Sequence, residues 1–374
     1  MKGSLRIITL FGIPVHVHWT FALIFVYIYF LGSFSNSAPG LTRSYMILIL
    51  MLFVCVLMHE YGHALMARRF GVGTHDIILS PIGGIARLNK LPEKPIQEFL
   101  VAIAGPAVNL VIVLLLAPFY FGAISALDRS NLINSIFNAS GNYFAPDLSL
   151  GGFLIVGLFW LNIVLAIFNM VPAFPMDGGR VLRALLSLRL SRVKATRFAA
   201  LIGKIFAVGF AILGLVSQPM NFLYVFIGVF IFITAANEFK MVKIEQALKS
   251  VTGKMLNPNQ SAFLHYKDSM DQAAQIVQDT EIKTFLVVDN WRNPMGVLTA
   301  DMVLQALKDG QAEQPVSSTA LHSIKGVDEQ SSLETIYNLL QHQQTPALVT
   351  FDQSGNATGL VDTYMLNKFI QQAK

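Results

Sequence analysis

Two stretches of this 374-residue chain, Phe99 to Leu127 and Leu148 to Met176, contain no charged residue, and each is long enough to cross a bilayer, which takes ~20 apolar residues in a helix. Three further apolar stretches accompany them: Trp19 to Phe34, the run from Tyr45 through Cys55 toward Arg68, and Ile205 to Asn237. The last is long for one helix and carries Gln218-Pro219 in its middle, where proline breaks the backbone ladder, so it reads as two spans joined by a tight turn. The count predicted is about six. Only 13% of the residues are charged, against ~25% in an average soluble chain, which argues against a single soluble domain. Small residues at Ser35 to Ala38 would also suit cleavage of a signal peptide, but the spans that follow favour an anchor. The single cysteine, Cys55, allows no intramolecular disulfide.

The net charge of +5 divides unevenly, because residues 1–249 carry a net +10 and residues 250–374 a net −5. A basic apolar part joined to an acidic, ordinarily mixed part predicts a transmembrane domain over 1–245 and a soluble domain over 250–374. The basic character is that of a membrane protein and does not point to nucleic acid. Basic residues cluster after the second span (Lys2 and Arg6 precede the first; Arg68, Arg69, Arg87, Lys90 and Lys94 follow the second) and after the fourth (Arg180, Arg183, Arg189, Arg192, Lys194, Arg197). The alternate loops hold few, Arg43 and Arg129. Cytoplasmic loops are enriched in Lys and Arg, so both termini and the soluble tail are predicted on the cytoplasmic side of the cell membrane.

At the end of the second span stands His59-Glu60-Tyr61-Gly62-His63, an HExxH pattern. Residues four apart share a helix face, so the two imidazoles can grip one metal while Glu60 acts on the water beside it. Zinc is the expected metal, since a catalytic zinc site takes three protein ligands plus a water. The pattern also arises by chance. Here, however, three ionisable residues within five positions lie in or beside a span, where such residues are costly and face a polar cavity or a partner. The third ligand predicted is Asp177, at the end of the charge-free fourth stretch. A plain helix N-cap is the alternative role for it. Two prolines and two glycines forbid a regular helix across residues 169–180, and irregular backbone at membrane depth must be buried in protein or line a watery cavity.

These segments resemble the site-2 protease family of intramembrane zinc metalloproteases. HEYGHALMARRFGV is similar to the family's HExxH helix and NMVPAFPMDGGR to its NxxPxxPxDGG loop. Gly105-Pro106-Ala107-Val108-Asn109 also looks like a family segment, and Gly12-Ile13-Pro14-Val15 fits the subgroup with a cytoplasmic tail. The resemblance implies that His59, His63 and Asp177 ligate zinc, one ion per chain, and that Glu60 is the general base. It implies that Asn169, with Pro172 and Pro175 of the same loop, holds the extended backbone of the substrate. Met176 stands where leucine is common, a swap of similar volume.

Thr74 to Leu88 holds two short apolar runs around Pro81-Ile82-Gly83-Gly84. An ordinary loop fits such runs, but the family likeness favours a membrane-edge β-hairpin, with Gly83 and Gly84 beside an edge open to an extended peptide. His16, His18 and His75 read as interface or structural residues. Asn109, Asn162 and Asn237 read as hydrogen-bonding groups between helices.

Residues 263–370 repeat with a period of 63, so that Asp289 maps onto Asp352, Gly296 onto Gly359, Phe285 onto Leu348, Met270 onto Leu333 and Ile276 onto Leu339. This α/β tail resembles a tandem pair of cystathionine-β-synthase-type (CBS) domains, which implies a regulatory module that binds adenine nucleotides and can pair as a homodimer. The nucleotide residues implied are Thr299 and Asp301. The Asp expected three positions after the hydroxyl is replaced by Met302, and the second copy has Asp362 and Met365 at the two positions.

The fold class expected is therefore a polytopic α-helical membrane protein with a membrane-edge hairpin and a C-terminal α/β tandem CBS module. The function expected is an intramembrane zinc endopeptidase acting in the lipid bilayer on a transmembrane protein substrate. The alternatives are a CBS-regulated transporter and an inactive adaptor that binds membrane proteins. A transporter predicts charges spread along a path and symmetry between groups of spans, and neither is seen.

Overall fold

The computed structural model describes residues 3–34, 39–81, 83–89, 92, 94–125, 149–256, 262–319, 321–343 and 345–372. Lys2, Ser35 to Ala38, Ile82, Lys90 and Arg129 lie outside the described residues. The chain divides into two units, Met1–Phe239 and Lys240–Lys374.

Among the described residues, five helices are long and apolar enough to cross a membrane: α2 (Pro39–Arg69), α3 (Pro95–Ser125), α4 (Leu150–Asn169), α6 (Arg192–Val216) and α7 (Phe222–Ser250). The first apolar run gives a shorter helix, α1 (Ala22–Phe34), because the residues up to His18 are taken by a strand and Trp19–Phe21 forms a 3-10 turn. Gln218-Pro219 does separate α6 from α7.

Before α1 the chain forms an unanticipated hairpin, β1 (Ser4–Leu10) and β2 (Ile13–His18). It turns at Phe11-Gly12, both with positive φ (52° and 79°), the combination that suits the right-handed twist of two strands. β2 then pairs in parallel with β3 (Thr74–Ser80), and β3 pairs antiparallel with β4 (Gly83–Leu88), so β4 is an edge of a four-stranded sheet. Ile13, Val15, Ile77 and Leu79 pack on Tyr61 and Ala64 of α2. The Tyr61 hydroxyl donates to the carbonyls of Leu10 and Ile13, at 3.3 and 3.2 Å. The sheet thus lies against the turn of α2 that carries the HExxH residues.

Between α4 and α6 sits the short helix α5 (Asp177–Leu186). Its Arg183 is completely buried, donates to Glu98 of α3 at 2.6 Å and to Glu238 of α7 at 2.8 Å, and lies over the Phe174 ring at 5.0 Å. Taking one partner out of a buried ion pair leaves an uncompensated charge. Arg183→Met is expected to destabilise this unit by about 3–5 kcal/mol, read as a lowered unfolding midpoint of the purified protein.

The second unit carries two α/β copies. In the first, β5 (Ala262–His265) pairs in parallel with β6 (Thr284–Val288), and β6 pairs antiparallel with β7 (Pro294–Thr299). Helices α9 (Met270–Asp279) and α10 (Ala300–Lys308) complete that copy. In the second, β8 (Gly326–Asp328), β9 (Ala347–Phe351) and β10 (Ala357–Asp362) repeat the pattern with α11 (Leu333–Gln343) and α12 (Thr363–Gln372). A four-residue helix, α8 (Gly253–Leu256), leads in. The elements from α9 onward start 63 residues apart in the two copies, as at Met270 and Leu333 or Thr284 and Ala347. Asp289 and Asp352 do the same job in each: Oδ1 of Asp289 accepts from the N–H groups of Trp291 and Asn293, and Oδ1 of Asp352 from those of Ser354 and Asn356. The copies meet in a core that includes Leu286, Val297, Ala347, Val349 and Leu360.

Candidate active site

His59 and His63 lie on one face of α2, and Asp177 reaches them from the first turn of α5. All three are buried. His59 Nε2 lies 3.2 Å and His63 Nε2 3.0 Å from Asp177 Oδ2, and the two nitrogens are 3.1 Å apart. The residue capping α5 is Met176, and Asp177 makes no cap bond, so its carboxylate is directed to the histidines. Its loop is held tightly. Phe174 is buried against Ala199, Ala200 and Ala235, and a Cβ at Gly178 would come within 2.2 Å of the Val171 carbonyl oxygen.

This donor set can be tested for fit to a metal from its own hydrogen bonds. His63 Nδ1 lies 2.7 Å from the Val101 carbonyl, which can only accept, so Nδ1 carries a proton, and in the neutral ring Nε2 presents a lone pair. His59 Nδ1 is likewise bonded outward, to Asn109 Oδ1 at 2.5 Å. Two lone pairs and a carboxylate oxygen within 3.2 Å repel unless a cation lies among them. Tetrahedral ligands at the usual zinc distances stand about 3.3 Å from one another, so the spacing suits zinc. Space is reserved as well. A Cβ on Gly105 of α3 would lie 2.3 Å from His63 Nε2 and 2.7 Å from His59 Nε2. Among the described residues, His59, His63 and Asp177 form a group able to hold a metal ion.

Glu60 is half-buried, and its Oε2 accepts from the backbone N–H of Ala86 in β4 at 2.9 Å. β4 crosses α2 closely here, since a Cβ on Gly84 would sit 2.6 Å from Glu60 Cγ. Gly83 opens β4 with φ of 130°, and its carbonyl accepts from the Ser80 hydroxyl. Asn169 ends α4 half-buried, while Pro172 and Pro175 are exposed on the loop that leads to Asp177.

The hairpin is fastened by Asp76 of β3, whose carboxylate takes both Arg87 Nε, at 2.6 Å, and Arg87 Nη2. These bonds hold the Asp76 carboxyl below its ordinary range despite its burial, with His75 adding a smaller effect. A carboxyl depressed in the folded state stabilises above its unfolded pKa of about 4, and that contribution is lost as pH falls through the folded value. Hydrogen-exchange protection of β3 and β4 is therefore expected to stay level from neutral pH down to the ordinary carboxylate range and to fall below it. Arg87→Met should move the fall to higher pH.

The nucleotide candidates behave differently. Thr299 Oγ1 caps α10 by accepting from the Met302 N–H, and Asp301 is exposed. A cavity of about 260 Å³ lies instead between the copies, lined by Thr280, Lys283 and Thr284 of the first and Asp362, Tyr364 and Lys368 of the second among others. There the Thr284 hydroxyl donates to Asp362 at 2.5 Å, and Lys368 pairs with Glu281.

The sequence profile of peptidase family M50 matches residues 47–216. A zinc metalloprotease of Methanocaldococcus jannaschii is 34% identical over 261 residues, covering 69% of this chain and 68% of that protein. The chain belongs to peptidase family M50. As an M50 member it is a zinc metalloprotease, and the five long apolar helices among its described residues mark it as an integral membrane protein. A Synechocystis protein assigned as a zinc metalloprotease is 27% identical over 99% of this M50 chain and 96% of its own length. Among solved structures, the site-2 protease from M. jannaschii is 36% identical, covering 63% of this chain and 95% of its own with a TM-score of 0.44. The CBS domain of a bacterial CNNM/CorC family Mg2+ transporter is 15% identical over 36% of this chain and 82% of its own, with a TM-score of 0.31.

Reading the sequence of this M50 protein leaves three site features unseen: the β1–β2 hairpin, the Val101 carbonyl under His63, and the gap at Gly105. The alternation in Leu5 to His18 carries a signal for the first, and a backbone carbonyl carries none.

Proposed function

We propose that this chain is an intramembrane zinc endopeptidase that cuts a membrane-tethered protein within or beside its transmembrane helix and releases a cytoplasmic product. His59, His63 and Asp177 would hold the zinc. The observation that carries this reading is the meeting of three acceptor atoms at 3.0–3.2 Å with Glu60 next along the helix. Bound zinc supplies Lewis acidity toward the scissile carbonyl and brings the pKa of a bound water toward ~7. Glu60 takes a proton from the attacking water and returns it to the leaving amine.

A helical substrate hides its peptide bonds, so it must unwind to be cut. Strand addition on the open edge of β4 is the way this chain would hold the unwound segment, with Gly83 and Gly84 allowing close approach. The Ala86 N–H already meets Glu60, which supports a substrate strand passing beside the base. Asn169, Pro172 and Pro175 would border the segment from the other side.

The basic residues Arg68, Arg69, Arg180 and Arg189 support a cytoplasmic location for the site, both termini and the tail in the cell membrane. The tail would modulate cleavage, as an adenine-nucleotide sensor, a homodimer contact, or both. The first-copy residues Thr299 and Asp301 remain candidates, and the cavity between the copies is the better-shaped one. Loss of all ATP sensitivity without other change on deleting residues after about 250 is the result expected if the tail only senses nucleotide.

The decisive experiment compares single-span membrane proteins in cells carrying the wild type or Glu60→Gln. An uncut membrane protein should accumulate in the variant while its soluble fragment disappears. No difference under several growth conditions would favour the adaptor or transporter reading.

A further inference from the structure

Two fully buried asparagines stand behind His59, and their bonding runs in one direction. Asn162 of α4 donates through Nδ2 to the Leu158 carbonyl at 2.8 Å. A carbonyl can only accept, so the Asn162 amide cannot be reversed, and Oδ1 faces α3. There it accepts from Asn109 Nδ2 at 2.9 Å. Asn109 is thereby fixed in turn, with Oδ1 toward α2, where it meets His59 Nδ1 at 2.5 Å. In the neutral ring the proton of His59 then lies on Nδ1, and Nε2 is bare toward His63 and Asp177.

We infer that Asn109 and Asn162 form a positioning relay that sets the tautomer and ring orientation of His59 and so the metal affinity of the site. This rests on the ligand set proposed above. The two histidines are served by one stripe of α3. Val101, Gly105 and Asn109 are four residues apart and so share a face, with a carbonyl for His63, a gap, and an amide oxygen for His59. The sense of the Asn109–Asn162 bond, fixed by the Leu158 carbonyl, is the one that leaves an acceptor for an imidazole N–H. Groups that receive the outer N–H of a ligating histidine raise its basicity and hold its ring, and losing one costs 10–100-fold in metal affinity.

The test measures zinc affinity of the full-length protein in detergent by chelator competition, with the visible spectrum of bound cobalt(II) as a second reading. Asn109→Leu keeps the volume and removes the acceptor, and is expected to weaken zinc 10–100-fold. The double variant Asn109→Asp/Asn162→Leu keeps an acceptor on His59 without setting the second carboxylate oxygen against Asn162 Oδ1, and should stay within about threefold of wild type, because a carboxylate serves the same N–H. Asn162→Leu frees the Asn109 amide to reverse and should weaken zinc to a lesser degree. It also carries the test if Asn109→Leu does not fold. Wild-type affinity and cobalt spectrum in Asn109→Leu, or equal loss in Asn109→Leu and in Asn109→Asp/Asn162→Leu, would overturn the relay. His59→Ala separates the two readings: zinc retained at wild-type affinity there removes the ligand set itself.

Discussion

Replacing Gly105 with alanine is expected to empty the metal site and stop proteolysis while leaving α3 helical. Alanine favours a helix over glycine by about 1 kcal/mol, so nothing local opposes the change. The added methyl would stand 2.3 Å from His63 Nε2 and 2.7 Å from His59 Nε2, far inside any non-bonded contact. Neither imidazole can retreat freely, because each is tied through Nδ1 to α3, at Asn109 and at the Val101 carbonyl. A displacement of ~1 Å at a catalytic group costs on the order of 10²-fold in rate, and here the displaced groups are the proposed ligands. Zinc measured in the purified variant should fall below a tenth of the wild-type content, with cleavage lost in parallel. Full zinc and full activity in Gly105→Ala would show that the ion sits elsewhere.

Glu60→Gln should lower turnover by about 10²–10⁴-fold, the range for removing a general base, with zinc content unchanged. Glutamine preserves an amide oxygen where Oε2 accepts from the Ala86 N–H, so the seat of β4 on α2 survives. It removes the proton acceptor alone. Glu60→Ala would give up that contact too and is the poorer probe of chemistry. Activity within threefold of wild type in Glu60→Gln, measured on a purified single-span substrate, would remove Glu60 from the role of base.

The long helices were legible because charge-free length leaves a chain few options, and the tail because a repeat of 63 residues keeps its landmarks aligned. His59, His63 and Asp177 were legible as a group because ionisable residues at such depth are conspicuous. What escaped was geometry carried by backbone or by absent atoms. Gly105 matters through a side chain it does not have, and Val101 through a carbonyl that every residue possesses. Arg183 looked like one more cytoplasmic positive charge, yet it is completely buried between Glu98 and Glu238. Its partners lie far along the chain, and only the packing of α3, α5 and α7 brings them together. The first apolar run misled on length because its opening residues, Trp19–Phe21, form a 3-10 turn that follows β2, a strand held by the distant β3.

Among the described residues, β4 leaves one row of backbone groups without a strand neighbour. Such an edge cannot face hydrocarbon, because each unsatisfied N–H or C=O there costs several kcal/mol. The hydrocarbon boundary must therefore fall short of β4, or the protein must admit water to it. The sheet acts as a depth gauge for the bilayer: with Ala86 bonded to Glu60, it ties the level of the buried histidine pair to the waterline. A thicker bilayer would press lipid against that edge and disfavour the seated hairpin, which would make the site sensitive to membrane thickness.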